Sequence, residues 1–126
     1  MHTPPMNILN MTQHNLLPEQ LADGVQEFPE EVRPRMRELM NFDERPTRQE
    51  VAARAEHLAA LAQSCGADGV MTGGVPFLMP PLRAALESRE IRVFYSFSPR
   101  HCVEHVLPDG SVEKRVAFRY QGLVEV

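Results

Sequence analysis

Several familiar signatures are missing from this chain of 126 residues. There is no Walker loop, no G-x-G-x-x-G, no G-x-S-x-G and no paired metal-ligand spacing. Those absences set aside phosphate-loop enzymes, dinucleotide folds of the common type and nucleophile-elbow hydrolases. Any chemistry is therefore expected to be free of metal and cofactor and to depend on positioning. Cysteine is scarce: Cys65 and Cys102 stand alone, without C-x-x-C spacing, and read as buried small hydrophobes. No segment approaches the ~20 apolar residues of a membrane span. No signal-peptide pattern opens the chain, so no membrane and a reducing cytoplasm are the expectation. Strong charge of either sign is missing too. Seventeen acidic residues against thirteen Lys and Arg give a net charge of -4. A surface that coats long nucleic acid is not expected, and a small anionic ligand would need local positive charge. No internal repeat or low-complexity tract is present.

What is present suits one domain with a single core. Residues 1–5, with Pro4-Pro5, read as a disordered leader, and residues 6–126 as the domain. Met6 to Met11 is short and apolar, a buried first strand, and Thr12-Gln13-His14-Asn15 is a polar loop after it. Pro18 suits the first turn of a helix that Gly24 ends. Val25 to Pro29 is either a short strand or an extended link. Arg33 to Met40 reads as helical. Thr47 to Cys65 is the clearest helix. It has a Thr47/Glu50 capping pattern, Val51, Ala55, Leu58 and Ala62 at helical spacing, and Gly66 where a left-handed cap belongs.

The stretch from Ala67 to Arg100 carries the most information. Val70-Met71-Thr72 is an apolar strand, followed by Gly73-Gly74-Val75-Pro76. A helix then begins near Phe77 or Leu78, with Pro80 and Pro81 in its first turn, where missing N–H groups cost nothing. Ile91 to Phe97 is the next strand, and Ser98-Pro99-Arg100-His101 a polar loop. This is a β-α-β unit with two glycines at the strand-to-helix turn. Glycine lets backbone approach a ligand closely, and the start of a helix favours phosphate or carboxylate. Cys102 to Leu107 and Val112 to Tyr120 then form a hairpin around Pro108-Asp109-Gly110-Ser111. Gln121-Gly122 breaks the second arm before Leu123 to Val126. The sum is an α/β domain with a mostly parallel sheet flanked by helices and a C-terminal antiparallel hairpin.

In such a sheet, ligands sit beyond the carboxyl ends of the parallel strands. Three loops meet that description: Thr12-Gln13-His14, the Gly73-Gly74 turn running to Pro76, and Ser96 to Arg100. Arg100 could fork onto a phosphate. Thr12, Ser96 and Ser98 could donate to phosphate or ribose oxygens, and His14 could carry a proton. One motif is a decoy. His101-Cys102-Val103-Glu104-His105 matches H-x-x-E-H, which binds zinc only on a helix. Here it runs into a hairpin turn. On a strand the two imidazoles lie roughly 13 Å apart, too far for one metal. Glu104 instead pairs with Arg115 across a two-residue turn, or with Lys114 across a three-residue loop with a bulge.

The block Arg92-Val93-Phe94-Tyr95-Ser96-Phe97-Ser98-Pro99-Arg100, with Val103-Glu104, Leu107-Pro108-Asp109-Gly110, Phe118-Arg119 and Val124-Glu125-Val126, resembles the tail of a known group. So does the opening, Asn7 to His14 with Pro18-Glu19-Gln20-Leu21. The group is the small CRISPR-ancillary proteins of type III systems with a CARF-like, Rossmann-type fold. Several of its members are known or proposed ring nucleases. The resemblance implies antiviral signalling and a nucleotide-binding hydrolase that opens a cyclic oligoadenylate by attack of a ribose 2′-OH on the adjacent phosphodiester. The alternative it leaves is a sensor or sponge that binds the cyclic nucleotide uncut. On the first reading His14 and Arg100 are catalytic. Thr12, Gln13, Gly73, Gly74, Pro76, Ser96 and Ser98 hold the ligand. The ligand's internal symmetry implies a two-fold homodimer.

Overall fold

A computed structural model describes residues 6–126, so the leader expected over residues 1–5 lies outside the described residues. Four parallel strands form the centre: β1 (Ile8–Met11), β2 (Val25–Glu27), β3 (Gly69–Thr72) and β4 (Arg92–Phe97). Between them run α1 (Pro18–Ala22), α2 (Arg33–Met40), α3 (Arg48–Ser64) and α4 (Met79–Glu87). After β4 come β5 (Arg100–Val106) and β6 (Val112–Phe118), then β7 (Gly122–Glu125). The main sheet has the order β2-β1-β3-β4-β7, with β7 antiparallel to β4, while β5 and β6 form a separate two-stranded ribbon. The protein is thus α/β, with a mostly parallel, Rossmann-like sheet and a C-terminal antiparallel hairpin.

Alternation along the strands sends side chains to two unequal cores. Leu9, Met11, Val70 and Val93 face α2, α3 and α4 and join Met36, Leu58, Leu82 and Leu86 in the larger cluster. Ile8, Val25, Met71 and Phe94 make a smaller cluster on the opposite face, covered by Met6, Leu16 and Leu123. On that face the Phe94 ring lies over Gly69, where an added Cβ would come within 2.8 Å of it. Glycine is needed in β3 for that reason.

Local signals placed most of the helices. Thr47 Oγ1 accepts from the Glu50 N–H at 3.1 Å and starts α3. Gly66 ends the helix with φ at 74°, a conformation that costs other residues a steric penalty. Pro80 and Pro81 sit in the first turn of α4, as their missing donors require. The stretch from Val25 proves to be a strand, because β1 offers it a parallel edge.

Two expectations change, and one unassigned segment gains a place. Arg100 and His101 belong to β5 rather than to a loop, because β6 extends far enough to pair them with Phe118 and Ala117. Beyond the Gln121-Gly122 break, Leu123 to Glu125 lies in β7, hydrogen-bonded along β4. Neither cysteine is buried: Cys65 is half-buried and Cys102 exposed on the ribbon. The decoy motif does lie on a strand. Val106 pairs with Val112, and Leu107 N donates to Ser111 O, so the loop is three residues with Gly110 left-handed at 86°. That register puts Lys114 opposite Glu104.

Candidate functional site

In the order β2-β1-β3-β4 the chain steps outward from β1 to β2, then crosses back past β1 to β3 on its other side. A crevice must open between the carboxyl ends of β1 and β3, where the connections diverge. A cavity of about 1020 Å³ lies there, at the upper end of the range for small-molecule sites. Thr12, Gln13, His14 and Asn15 line it from the β1 loop, and Gly73, Gly74, Val75 and Pro76 from the β3 loop. Tyr95 and Ser96 contribute from β4, and Leu17 and Gln20 from the start of α1.

Buried amides hold these loops in place. Asn10, 1% exposed, stands among apolar neighbours in β1. Its Nδ2 donates to the His14 carbonyl and to Glu27 Oε1, both at 2.7 Å. Its Oδ1 accepts from Thr12 Oγ1 at 2.6 Å. Thr12 Oγ1 in turn accepts from the His14 N–H at 3.2 Å. The Thr12 proton is therefore directed inward, and this hydroxyl builds the loop instead of offering a proton to a ligand. Gln20, 7% exposed, accepts from the Leu17 N–H at 2.8 Å and donates to Ser96 Oγ at 3.3 Å. Thr72 Oγ1 donates to the Met11 carbonyl at 2.8 Å, closing the fork between β1 and β3.

Gly73 and Gly74 are not explained by the fold. Neither has a left-handed φ, and a Cβ on Gly73 would meet nothing within 4 Å. One on Gly74 would make ordinary contacts with Met40 Cε at 3.5 Å and Met79 Cε at 3.6 Å. Protein packing would accept alanine at both positions. What glycine provides here is a bare backbone along the cavity wall, which suits close approach of a ligand.

The lining is almost uncharged. No carboxylate, lysine or arginine contributes to it, and His14 and Tyr95 are its titratable side chains. Arg37 stands one contact behind, donating from Nη2 to Asn15 Oδ1 at 2.9 Å, with its Nε buried and unpartnered. Among the described residues no group of three or more His, Cys, Asp or Glu could hold a metal ion.

The cavity brings together seven of the residues singled out from sequence: Thr12, Gln13, His14, Gly73, Gly74, Pro76 and Ser96. Ser98 stands just outside, its Oγ 3.5 Å from that of Ser96. Arg100 does not join them; it opens β5, exposed, opposite Phe118. Asn10, Asn15, Gln20, Tyr95 and Arg37 were missed. Asn10 left a trace in the sequence, a lone amide within an apolar strand. Gln20 and Arg37 left none, since their partners lie on other elements.

An α/β protein with a neutral, glycine-walled cavity at its topological switch point is the class these observations define. Within it, residues 6–124 match the model of the family described as the Uncharacterized protein MJ1673 family, and the chain belongs to that family. No curated protein and no solved structure matches the chain. No helix among the described residues is long and apolar enough to cross a membrane.

Proposed function

We propose that the rim cavity binds a cyclic oligoadenylate and that the protein opens it by metal-independent transesterification, as a ring nuclease of type III CRISPR signalling. The observation that carries the binding half is the Gly73–Gly74 wall, bare without structural need, sharing a carboxylate-free cavity with His14. A carboxylate-free lining suits a phosphodiester, which like charge would repel. The resemblance of both chain ends to CRISPR-ancillary proteins supplies the ligand class and the reaction.

In the reaction, a ribose 2′-oxygen attacks the adjacent phosphorus and the 5′-oxygen of the next nucleotide leaves. A 2′,3′-cyclic phosphate and a free 5′-hydroxyl result. His14 moves the proton, as base to the 2′-OH or acid to the departing oxygen. Backbone amides of the glycine turn lie along the phosphate path, where fixed dipoles stabilise the charge that develops on phosphorus oxygens. Arg37 supports the field from behind Asn15. A homodimer matches the two-fold symmetry of the ligand.

A second reading, binding without cleavage, is favoured by one observation: no Lys or Arg lines the cavity. Incubation with cyclic tetra- and hexa-adenylate in EDTA, across a pH series, separates the two. Linear products ending in 2′,3′-cyclic phosphate support the nuclease. Calorimetric binding with the ring recovered intact supports the sensor, and no binding of either ring ends both.

A further inference from the structure

The β5–β6 ribbon is exposed along its whole length and pairs with no strand of the main sheet. A ribbon of two strands is marginally stable in water on its own. Its register sorts the side chains into two faces. The pairs Arg100–Phe118, Cys102–Val116, Glu104–Lys114 and Val106–Val112 lie on one of them. That face is unusually apolar for open surface. Phe118 and Val106 are 69% and 68% exposed, and Val112 and Val116 are each 55% exposed. Exposed apolar side chains gathered on one face, here on both sides of a Glu104–Lys114 row, are the mark of an interaction site. The face also carries Lys114, the single lysine of the chain.

We infer that this face docks against the same face of a second copy of the chain. The arrangement of charges selects the occupant. Stacked sheets pack about 10 Å apart with strands nearly aligned. A two-fold axis running along the ribbon lays β5 of one copy over β6 of the other. Glu104 then faces Lys114 twice, Cys102 faces Val116, and Val106 faces Val112. The Arg100 guanidinium meets the Phe118 ring, a favourable cation–aromatic pairing. Each row finds its complement, as an isologous contact requires. An axis across the ribbon would instead stack Glu104 on Glu104, or on Cys102, setting like charges or a bare charge into the contact. The face is smaller than the about 20–30 residues per side of a standard interface. The dimer is therefore an exchanging one, with a dissociation constant on the order of micromolar or weaker.

The inference holds whether or not the rim cavity takes a nucleotide. β5 begins three residues after β4 ends at Phe97, so such a dimer also sets the two cavities at the shared base of the ribbons.

Sedimentation of the full chain over a wide concentration range tests it. The wild type is expected to dimerise. Glu104→Lys and Lys114→Glu are each expected to weaken the dimer about tenfold or more. An equimolar mixture of the two variants is expected to dimerise again, because the row at positions 104 and 114 is then wholly positive on one face and wholly negative on the other. At concentrations too low for the wild type to dimerise, circular dichroism should show the ribbon kept in both variants and melting should differ little, since a like-charge cross-strand pair costs only a small amount and the ribbon lies outside both cores. A measurement without variants runs in parallel: carbodiimide coupling of an isotope-mixed wild type should yield a Glu104–Lys114 link between light and heavy chains. A monomer at all concentrations would overturn the inference. So would a dimer indifferent to both reversals, which would place the contact on a strand edge or elsewhere. A mixture that fails to reassociate, or coupling confined to single chains, would overturn it as well. Ring cleavage by a monomer would sink the ribbon contact and spare the nuclease, and a dimer inert toward cyclic nucleotides would do the reverse.

Discussion

Gln20 and Ser96, 76 residues apart in sequence, meet at 3.3 Å through the Gln20 amide and the serine hydroxyl. The same glutamine caps the Leu17 N–H, so one buried side chain ties the start of α1 to the end of β4. Gln20→Ala breaks both bonds and leaves the Leu17 donor without its partner. A loss of about 1–3 kcal/mol is expected, read as a lower urea midpoint with unchanged slope.

Asn10→Ala should be more damaging to the site than to the fold. It removes the donor to the His14 carbonyl and the acceptor of the Thr12 hydroxyl, and strips Glu27 of its amide partner. A destabilisation of about 1–3 kcal/mol is expected for the orphaned groups. Amide resonances of residues 12–15 should broaden or shift in NMR spectra while those of α3 stay in place.

Gly73→Ala separates ligand clearance from folding. The position has open space and no left-handed φ, so alanine should be neutral or stabilise by about 0.4–1 kcal/mol through the unfolded chain. Binding of cyclic oligoadenylate should fall, because the added methyl enters the cavity wall. A variant that is less stable and binds normally would remove the argument from the glycine turn.

His14→Ala tests the proton-transfer role. The His14 hydrogen bonds that shape the loop run through its backbone N–H and carbonyl, so removal of the ring should leave thermal stability unchanged. If the imidazole moves the proton, single-turnover cleavage drops by about 10²–10⁴-fold while the ligand dissociation constant changes little.

Tyr120 gives the fold an alkaline limit. Its hydroxyl donates to Asp23 Oδ2 at 2.7 Å. Burial first, and then this bond and the Asp23 charge, push the phenol above its ordinary value of 10.0. The folded state thus favours the protonated phenol. Its contribution is complete below the unfolded-state value and is lost as the pH rises beyond it toward the folded-state one. Stability should decline above about pH 10, and Tyr120→Phe should flatten that decline while lowering stability at neutral pH. Guanidinium titrations at a series of alkaline pH values measure both.

The resemblance of helix signals to helix positions was close wherever the cause lay within a few residues. Thr47, Gly66 and the Pro80-Pro81 pair each act on backbone groups within one turn, so their roles could be read directly. The start of β5 could not, because a strand ends where its neighbour ends: Arg100 and His101 are extended on account of Phe118 and Ala117. The site divides the same way. The glycine turn and the His14 loop are local features that follow strands of obvious character. The direction of the Thr12 hydroxyl was not legible, because its acceptor Asn10 is brought into reach only by the turn of the loop after β1.

Chain composition and short-range pattern settled the α/β class, the succession of strands and helices and the two loops that form most of the cavity, since period, caps and turns act through neighbours in sequence. Tertiary structure alone decided that β7 borders β4, that Gln20 reaches Ser96, that Arg37 backs Asn15 and that Arg100 leaves the rim for an exposed ribbon. Each of those depends on pairing between distant segments, whose register is fixed only when the sheet closes and the apolar faces are buried.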